Sequence, residues 1–510
     1  MRRLALALTF LLLAAPAHAR ERAPGAPGEP ARWAQADKHG FGTSATRASR
    51  VWFTLRQTEL TEVYFPDLSH PAVRSLAFTV DGRPVKTGRV TNDALTYTQT
   101  SRTKAFTLTR TYVTDPERST LLIKVRLDSR DGEEHSVEVH FDPHLSGDGN
   151  DDVGWSRGRA LLAHDHRIAS ALVAEPALTR TSSGYKGRSE ATLLEHTYDA
   201  LRPGNVVQQA HTRLTGRGRA KDMTVALAFA PTASAALETA RATLERGWDD
   251  TAARYRQGWT DYRNRLEPIP AAALPVAAAY ETSLLLLKAH EDKQHRGAFI
   301  ASPSRPWGQA PYHRVRVRDL YHVATALHAA GDRAAARRAL GFLLGTQHDD
   351  GTFPAHVDVD GRRPGTARPE GLPIVLAHQL GAGRWSAVRK AADAILAQTR
   401  PRSSARLAAY VAGLICAADL ARQRGANARA ARYERKADAW QRRALELDGR
   451  DLEFLELVRL GVRRADDPAI VAALARADRR LKAGDFWRRG SDDPYGERSD
   501  GRGYRPDADG

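Results

Sequence analysis

The sequence predicts a β-then-α chain: an antiparallel β-sandwich followed by a domain of helices stacked in pairs. Up to residue 231 apolar side chains recur with period two, and beyond residue 232 they recur every three to four positions. A third sign, Pro268-Ile269-Pro270, punctuates the boundary ahead of the main helical stretch. No strand pattern interrupts that stretch, which argues against an alternating βαβ fold.

In chain order, Met1-Arg2-Arg3, an apolar run over 4–15 and Ala17-His18-Ala19 read as a cleaved signal peptide, residues 1–19. Export to the periplasm or the medium is expected. The run is short for a membrane span, and no later stretch reads as one. Residues 20–32 are a Pro/Gly/Ala-rich lead-in. The sandwich is expected over 33–231. Val51, Phe53 and Leu55 alternate with their neighbours, as do Leu121, Ile123, Val125 and Leu127, then Val137, Val139 and Phe141, then Met223, Val225, Leu227 and Phe229. Turn-forming spacers such as Asp81-Gly82 and Asp131-Gly132 separate the strands.

Residues 232–270, with Leu237, Leu244, Trp248 and Tyr255, suit one amphipathic connecting helix. From 271 to 483 helices are expected at 276–288, 317–330, 334–347, 372–380, 385–397, 406–423, 428–444, 452–460 and 469–482. Asp332, Asn427 and Asp467-Pro468 are capping-type residues at three of their starts. Residues 484–510 are a polar tail rich in Gly, Asp and Arg.

Composition narrows the function. A chain of 510 residues is too long for one ordinary core. The net charge of +17 comes mostly from arginines spread along the chain. A dedicated nucleic-acid reader would concentrate them in one basic patch with interleaved aromatics, and no such patch stands out. Cys416, the one cysteine, permits no intramolecular disulfide and reads as a small buried hydrophobe.

The most informative block runs from Tyr312 to Asp332 and contains Arg318-Asp319. It places a guanidinium and a carboxylate at the mouth of a helix whose apolar positions are Leu320, Val323, Ala324 and Leu327. Further blocks are Trp33 to Thr43, Val51 to Thr54, Leu60 to Pro66, Gly184 to Ser189, Leu286 to Pro303, Leu372 to Leu380, Ala408 to Ala418 and Phe454 to Val462. In this order they resemble glycoside hydrolase family 15, the bacterial glucoamylases and glucodextranases. The resemblance covers most of the chain. It implies an N-terminal β-supersandwich and an (α/α)6 barrel, here with fewer helices than a full toroid. It also implies an exo-acting hydrolase that releases glucose from α-glucan ends with inversion, so the expected partner is an α-glucan or maltooligosaccharide.

By the same resemblance, Arg318 and Asp319 hold the glucosyl unit, Tyr312 belongs to their block, and Trp487 with Arg488 resembles a further sugar-contacting loop. The family's catalytic acid lies in a Trp-Glu-Glu segment. The corresponding stretch here, 397–406, contains no carboxylate, and the resemblance places the Gly-Glu-Arg segment that carries the family's base beyond Gly510. Glu370 and Glu497 are the weak surrogates, and for each a solvated surface position is the more ordinary reading. A glucan-binding protein without turnover is therefore the alternative to the enzyme. The reading requires no cofactor. The loop Asp148-Gly149-Asn150-Asp151-Asp152 offers the hard oxygen ligands that calcium takes, without EF-hand spacing.

Overall fold

A computed structural model describes residues 20–491, except 31–32, 34–37, 58, 148, 213, 215–218, 305–312, 363, 443–446, 485 and 489. The expected signal peptide, Tyr312, Asp148 and Glu497 lie outside the described residues, as does the tail from 492.

The N-terminal part is a sandwich of a ten-stranded and an eight-stranded sheet. At the centre of the larger sheet, Thr120–Ser129 pairs with Phe106–Thr114 on one side and Ala220–Ala230 on the other. Both pairings are antiparallel. The smaller sheet is built on Pro71–Val80 and Val137–Pro143, with Val139 opposite Phe78. Leu121, Ile123, Val125 and Leu127 are buried together with Val137, Val139 and Phe141, as their alternation requires. Burial on strand Ala220–Ala230 goes beyond alternation: from Val225 to Ala230 every residue is buried. A helix covers the second face there, and Ala226, Ala228 and Ala230 are small enough to admit it.

The eleven α-helices of the described residues are α1 Ala233–Arg246, α2 Trp248–Asn264, α3 Ala277–Ala289, α4 Val317–Ala329, α5 Arg333–Gly345, α6 Leu372–Gln379, α7 Trp385–Leu396, α8 Ser404–Arg422, α9 Asn427–Gln441, α10 Leu455–Arg459 and α11 Pro468–Leu481. The expected single connecting helix is thus two, α1 and α2. Gly247, at φ +83°, breaks it in a conformation that side-chain-bearing residues rarely adopt. Thr232 caps α1, Asp332 caps α5 and Asp467 caps α11, each accepting a backbone N–H. Asn427 is not a cap; it is the first residue of α9, behind Ala426.

The helical part also holds two short ladders that the periodicity did not reveal. Val315–Arg316 pairs with His356–Val357, and Phe353–Pro354 pairs with Ala367–Arg368. Two-residue strands leave too little sequence for a period to register. Lys482–Ala483, at the end of the expected last helix and domain, pairs antiparallel with Phe486–Trp487, where tail was expected. Two stretches, Ala271–Ala289 and Ser404–Arg422, are long and apolar enough to cross a membrane by length and composition, contrary to the sequence reading. The second is mostly buried as α8, the core helix against which α6, α7 and α9 pack.

One apolar cluster runs through both parts. Buried polar contacts tie them together. Trp259 Nε1 donates to the Thr43 carbonyl at 2.9 Å, and Trp52 Nε1 donates to the Ala289 carbonyl at 3.1 Å. The Lys293 ammonium is enclosed by Thr43 Oγ1 at 2.6 Å, the Ser49 carbonyl at 2.7 Å and the face of Trp52.

Candidate active site

The two short ladders decide where the polar residues of the helical part meet. One positions the chain entering α4, the other the chain entering α6. Between these entrances and the starts of α8 and α10 lies a cavity of about 510 Å³. Arg316, Arg318, Asp319, His322, Arg368, Glu370, Ser403, Arg406, Glu453 and Glu456 supply its polar lining. Its volume is in the range of small-molecule sites.

Arg318 and Asp319 stand together at this cavity, but each ion-pairs elsewhere. Asp319 faces Arg316 across the first turn of α4 at 3.6 Å, while Arg318 reaches Glu456 on α10 at 3.7 Å. Glu456 is also bonded by Arg459, whose guanidinium lies over the Tyr321 ring at 5.2 Å. Partial burial pushes the Glu456 carboxyl up. The bond and charge of Arg459, with Arg318, outweigh that and hold it below the usual carboxylate range.

Glu370 is the reverse case. Only 8 % of it is exposed, which corrects the expectation of a surface glutamate. Burial pushes its carboxyl above the ordinary value, and Arg368, whose Nε donates to Oε1 at 2.6 Å, offsets this only in part. Its seat is fixed by a close backbone approach. A Cβ on Gly371 would sit 1.9 Å from the Ala409 carbonyl oxygen of α8, and a Cβ on Gly413 would meet the Gly371 backbone at 2.9 Å. Two glycines thus let the turn before α6 lie directly on α8. The Tyr410 hydroxyl adds a bond to the Pro369 carbonyl at 3.0 Å.

Ser403 caps α8 by accepting the Arg406 N–H, and its own hydroxyl donates to Glu453 Oε2 at 2.9 Å. The stretch 397–406 contains no carboxylate of its own, but one is brought to it from the turn before α10. Sequence reasoning missed Glu453 and Glu456 because pairing with residues some fifty and 138 positions away leaves no local pattern. The available signal was the Phe454 to Val462 block, which contains Glu456 and which Glu453 directly precedes.

The other sequence candidates lie apart. Trp487 is about half exposed, and its Nε1 donates to Asp478 at 2.8 Å. The Arg488 N–H bonds the Leu481 carbonyl. Neither lines the cavity. Among the described residues no cluster of three His, Cys, Asp or Glu side chains could hold a metal ion. Of the proposed calcium loop, Asp152 accepts the Leu145 N–H at 3.2 Å. Cys416 is half-buried rather than buried, and burial pushes its thiol up to about 11, with Asp419 adding to the shift.

A sandwich joined to a helical domain, with a cavity lined by four carboxylates and four arginines, is the build of a protein that binds a small polar ligand. Comparison with known proteins makes this specific. Residues 23–264 match the family model of glucodextranase domain N, and residues 276–353 match that of glycosyl hydrolases family 15. A glucoamylase of Clostridium sp. (strain G0005) is 30% identical over an alignment of 570 positions, covering 93% of this chain and 80% of that protein. The crystal structure of a bacterial glucoamylase complexed with acarbose superposes with a TM-score of 0.84 at 30% identity, over 95% of this chain and 85% of that one. The chain belongs to glycoside hydrolase family 15 and is glucoamylase-like.

Proposed function

We propose that this protein is exported and acts on the non-reducing ends of α-glucans, releasing glucose with inversion at the anomeric carbon. The cavity receives the terminal glucosyl unit. There Arg318 and Asp319 offer it a charged donor and a charged acceptor, the complementary set that neighbouring sugar hydroxyls require. The observation that carries the reading is the divergence of two carboxylates on one cavity: Glu370 is pushed up by burial, and Glu456 is held down by arginines. Such a split separates a proton donor from groups that stay ionised, and glycoside hydrolysis needs that division of roles. In this reading Glu370 protonates the leaving oxygen. The glucoamylase bound to acarbose supports an oligosaccharide as ligand, and Met1 to Ala19 supports export.

Incubating purified protein with maltotetraose tests the reading: glucose should appear as the β-anomer, and Glu370→Gln should abolish it. Glucose at blank level refutes hydrolysis. A second reading, glucan binding without turnover, is favoured by the absence of any carboxylate in 397–406. Calorimetric binding of maltotetraose with no released glucose would establish it.

A further inference from the structure

The charges of the cavity do not cancel. Four arginines and four carboxylates line it, and Arg459, bonded to Glu456, brings a fifth guanidinium to the same cluster. Resting on the reading above of this cavity as a sugar site, we infer that the unit it takes bears an acidic group, a carboxylate or a phosphate ester. Arg406 is the clamp on that group, with Arg368 beside it.

The other guanidinium groups are engaged. Asp319 faces Arg316, and Glu456 is shared between Arg318 and Arg459. Arg368 commits only its Nε, to Glu370 Oε1, and its two terminal amino groups make no hydrogen bond among the described residues. Arg406 gives its backbone N–H to Ser403 Oγ, but its side chain makes no hydrogen bond or ion pair among the described residues. Glu453 accepts the Ser403 hydroxyl and makes no ion pair with Arg406. Both arginines are exposed, so their free N–H groups are open to a ligand. A guanidinium is a planar fork that matches a carboxylate or a phosphate with two parallel bonds.

The helix α8 brings the two together. Arg406 stands three residues before Ala409 and four before Tyr410, hence on the same face, one turn of about 5.4 Å toward the N-terminus. The segment from Arg368 to Gly371 rests on that face. The Tyr410 hydroxyl bonds the Pro369 carbonyl, and Gly371 abuts the Ala409 carbonyl. The convergence is felt at Glu370: burial pushes its carboxyl up, and Arg368, Arg406 and Arg318 pull against burial in that order.

A neutral glucosyl unit needs partners for its hydroxyls, and Arg318 with Asp319 supplies them. It leaves the Arg406 fork without an acceptor. An acidic substituent on the same unit provides that acceptor while the hydroxyl contacts are kept. Because the fork is wet, salt should screen the preference.

Calorimetric titration of the full chain with glucose, glucuronate and glucose 6-phosphate, at low ionic strength, tests this. At least one acid should bind about tenfold or more tighter than glucose, the fold-change that hydrogen bonds to a charged group bring. Glucuronate alone would mark a carboxylate ligand, glucose 6-phosphate alone a phosphate ester, and both together a site that reads charge. Arg406→Gln should bring the ratio of acid to glucose affinity close to one with an unchanged melting curve, and Arg406→Lys should restore part of it. Equal affinities for the parent, or no binding of either acid, overturn the proposal. So does a preference that survives in Arg406→Gln, which would belong to the general positive charge of the chain. Binding needs no turnover, so the two readings fail separately. Acid preference without cleavage of maltotetraose or p-nitrophenyl α-glucuronide refutes hydrolysis and leaves the ligand class standing. Equal affinities with maltotetraose cleaved refute the ligand class alone.

Discussion

Arg368 Nε stands 2.6 Å from Glu370 Oε1, a charged bond on a carboxyl that is nearly buried in the cavity wall. Burial is the larger influence, so the native state holds the Glu370 proton more tightly than the unfolded chain, whose ordinary value is 4.5. Proton linkage then fixes the sign. Above 4.5 the native state binds more protons than the unfolded state, and stability falls as pH rises until the raised native value is passed. Glu370→Gln should remove this loss. Its melting temperature should gain on the parent's between pH 4 and pH 7, and parallel curves for the two proteins would contradict the account.

If Glu370 is the proton donor, as proposed, the same group sets the alkaline limb of the pH profile, because the acid must be protonated. Arg368→Gln removes an influence that lowers the Glu370 value, so the limb should move to higher pH. The readout is glucose release from maltotetraose at saturating substrate. A limb that stays in place would show that another group sets it.

Arg318 should be a sugar contact rather than a structural element, since its partner Glu456 keeps Arg459 when Arg318 is lost. Arg318→Ala is expected to weaken maltotetraose binding by about 1–3 kcal/mol, the scale of hydrogen bonds to a charged group. Its melting temperature should hardly change. Identical calorimetric titrations for variant and parent would remove Arg318 from the site.

Gly371→Ala should be severe for its size. The added methyl would lie 1.9 Å from the Ala409 carbonyl, and backbone cannot turn aside as a side chain does. The expected cost is about 1–3 kcal/mol in urea unfolding, as for overpacked cores, with glucan binding weakened as Glu370 is displaced. A variant as stable as the parent would mean that α6 and α8 part easily.

Lys293→Met tests the junction of sandwich and helices. It leaves Thr43 Oγ1 and the Ser49 carbonyl without their ammonium donor, at about 1–3 kcal/mol for each unsatisfied group. Earlier cleavage by protease between the two parts is the expected sign. Unchanged digestion would show that the apolar contacts alone hold the junction.

The architecture was legible because it rests on local repetition. Period two exposed the strands around Leu121 to Leu127, and period 3.6 exposed the nine helices from α3 onward to within a few residues. Arg318 and Asp319 were legible as part of a continuous block with a recognisable resemblance. The break at Gly247 was not, since one glycine in a helical pattern does not announce its φ.

By itself, then, the sequence determined the order of sandwich and helices, the family, and half of the candidate site. Tertiary structure alone decided the other half. It buried Glu370 on the glycine-paired face of α8, brought Glu453 to Ser403, and turned Arg318 toward Glu456 instead of its neighbour Asp319. The physical reason is range. Periodicity and capping act within a few residues, whereas a carboxylate's burial and partners depend on which distant segments share its wall.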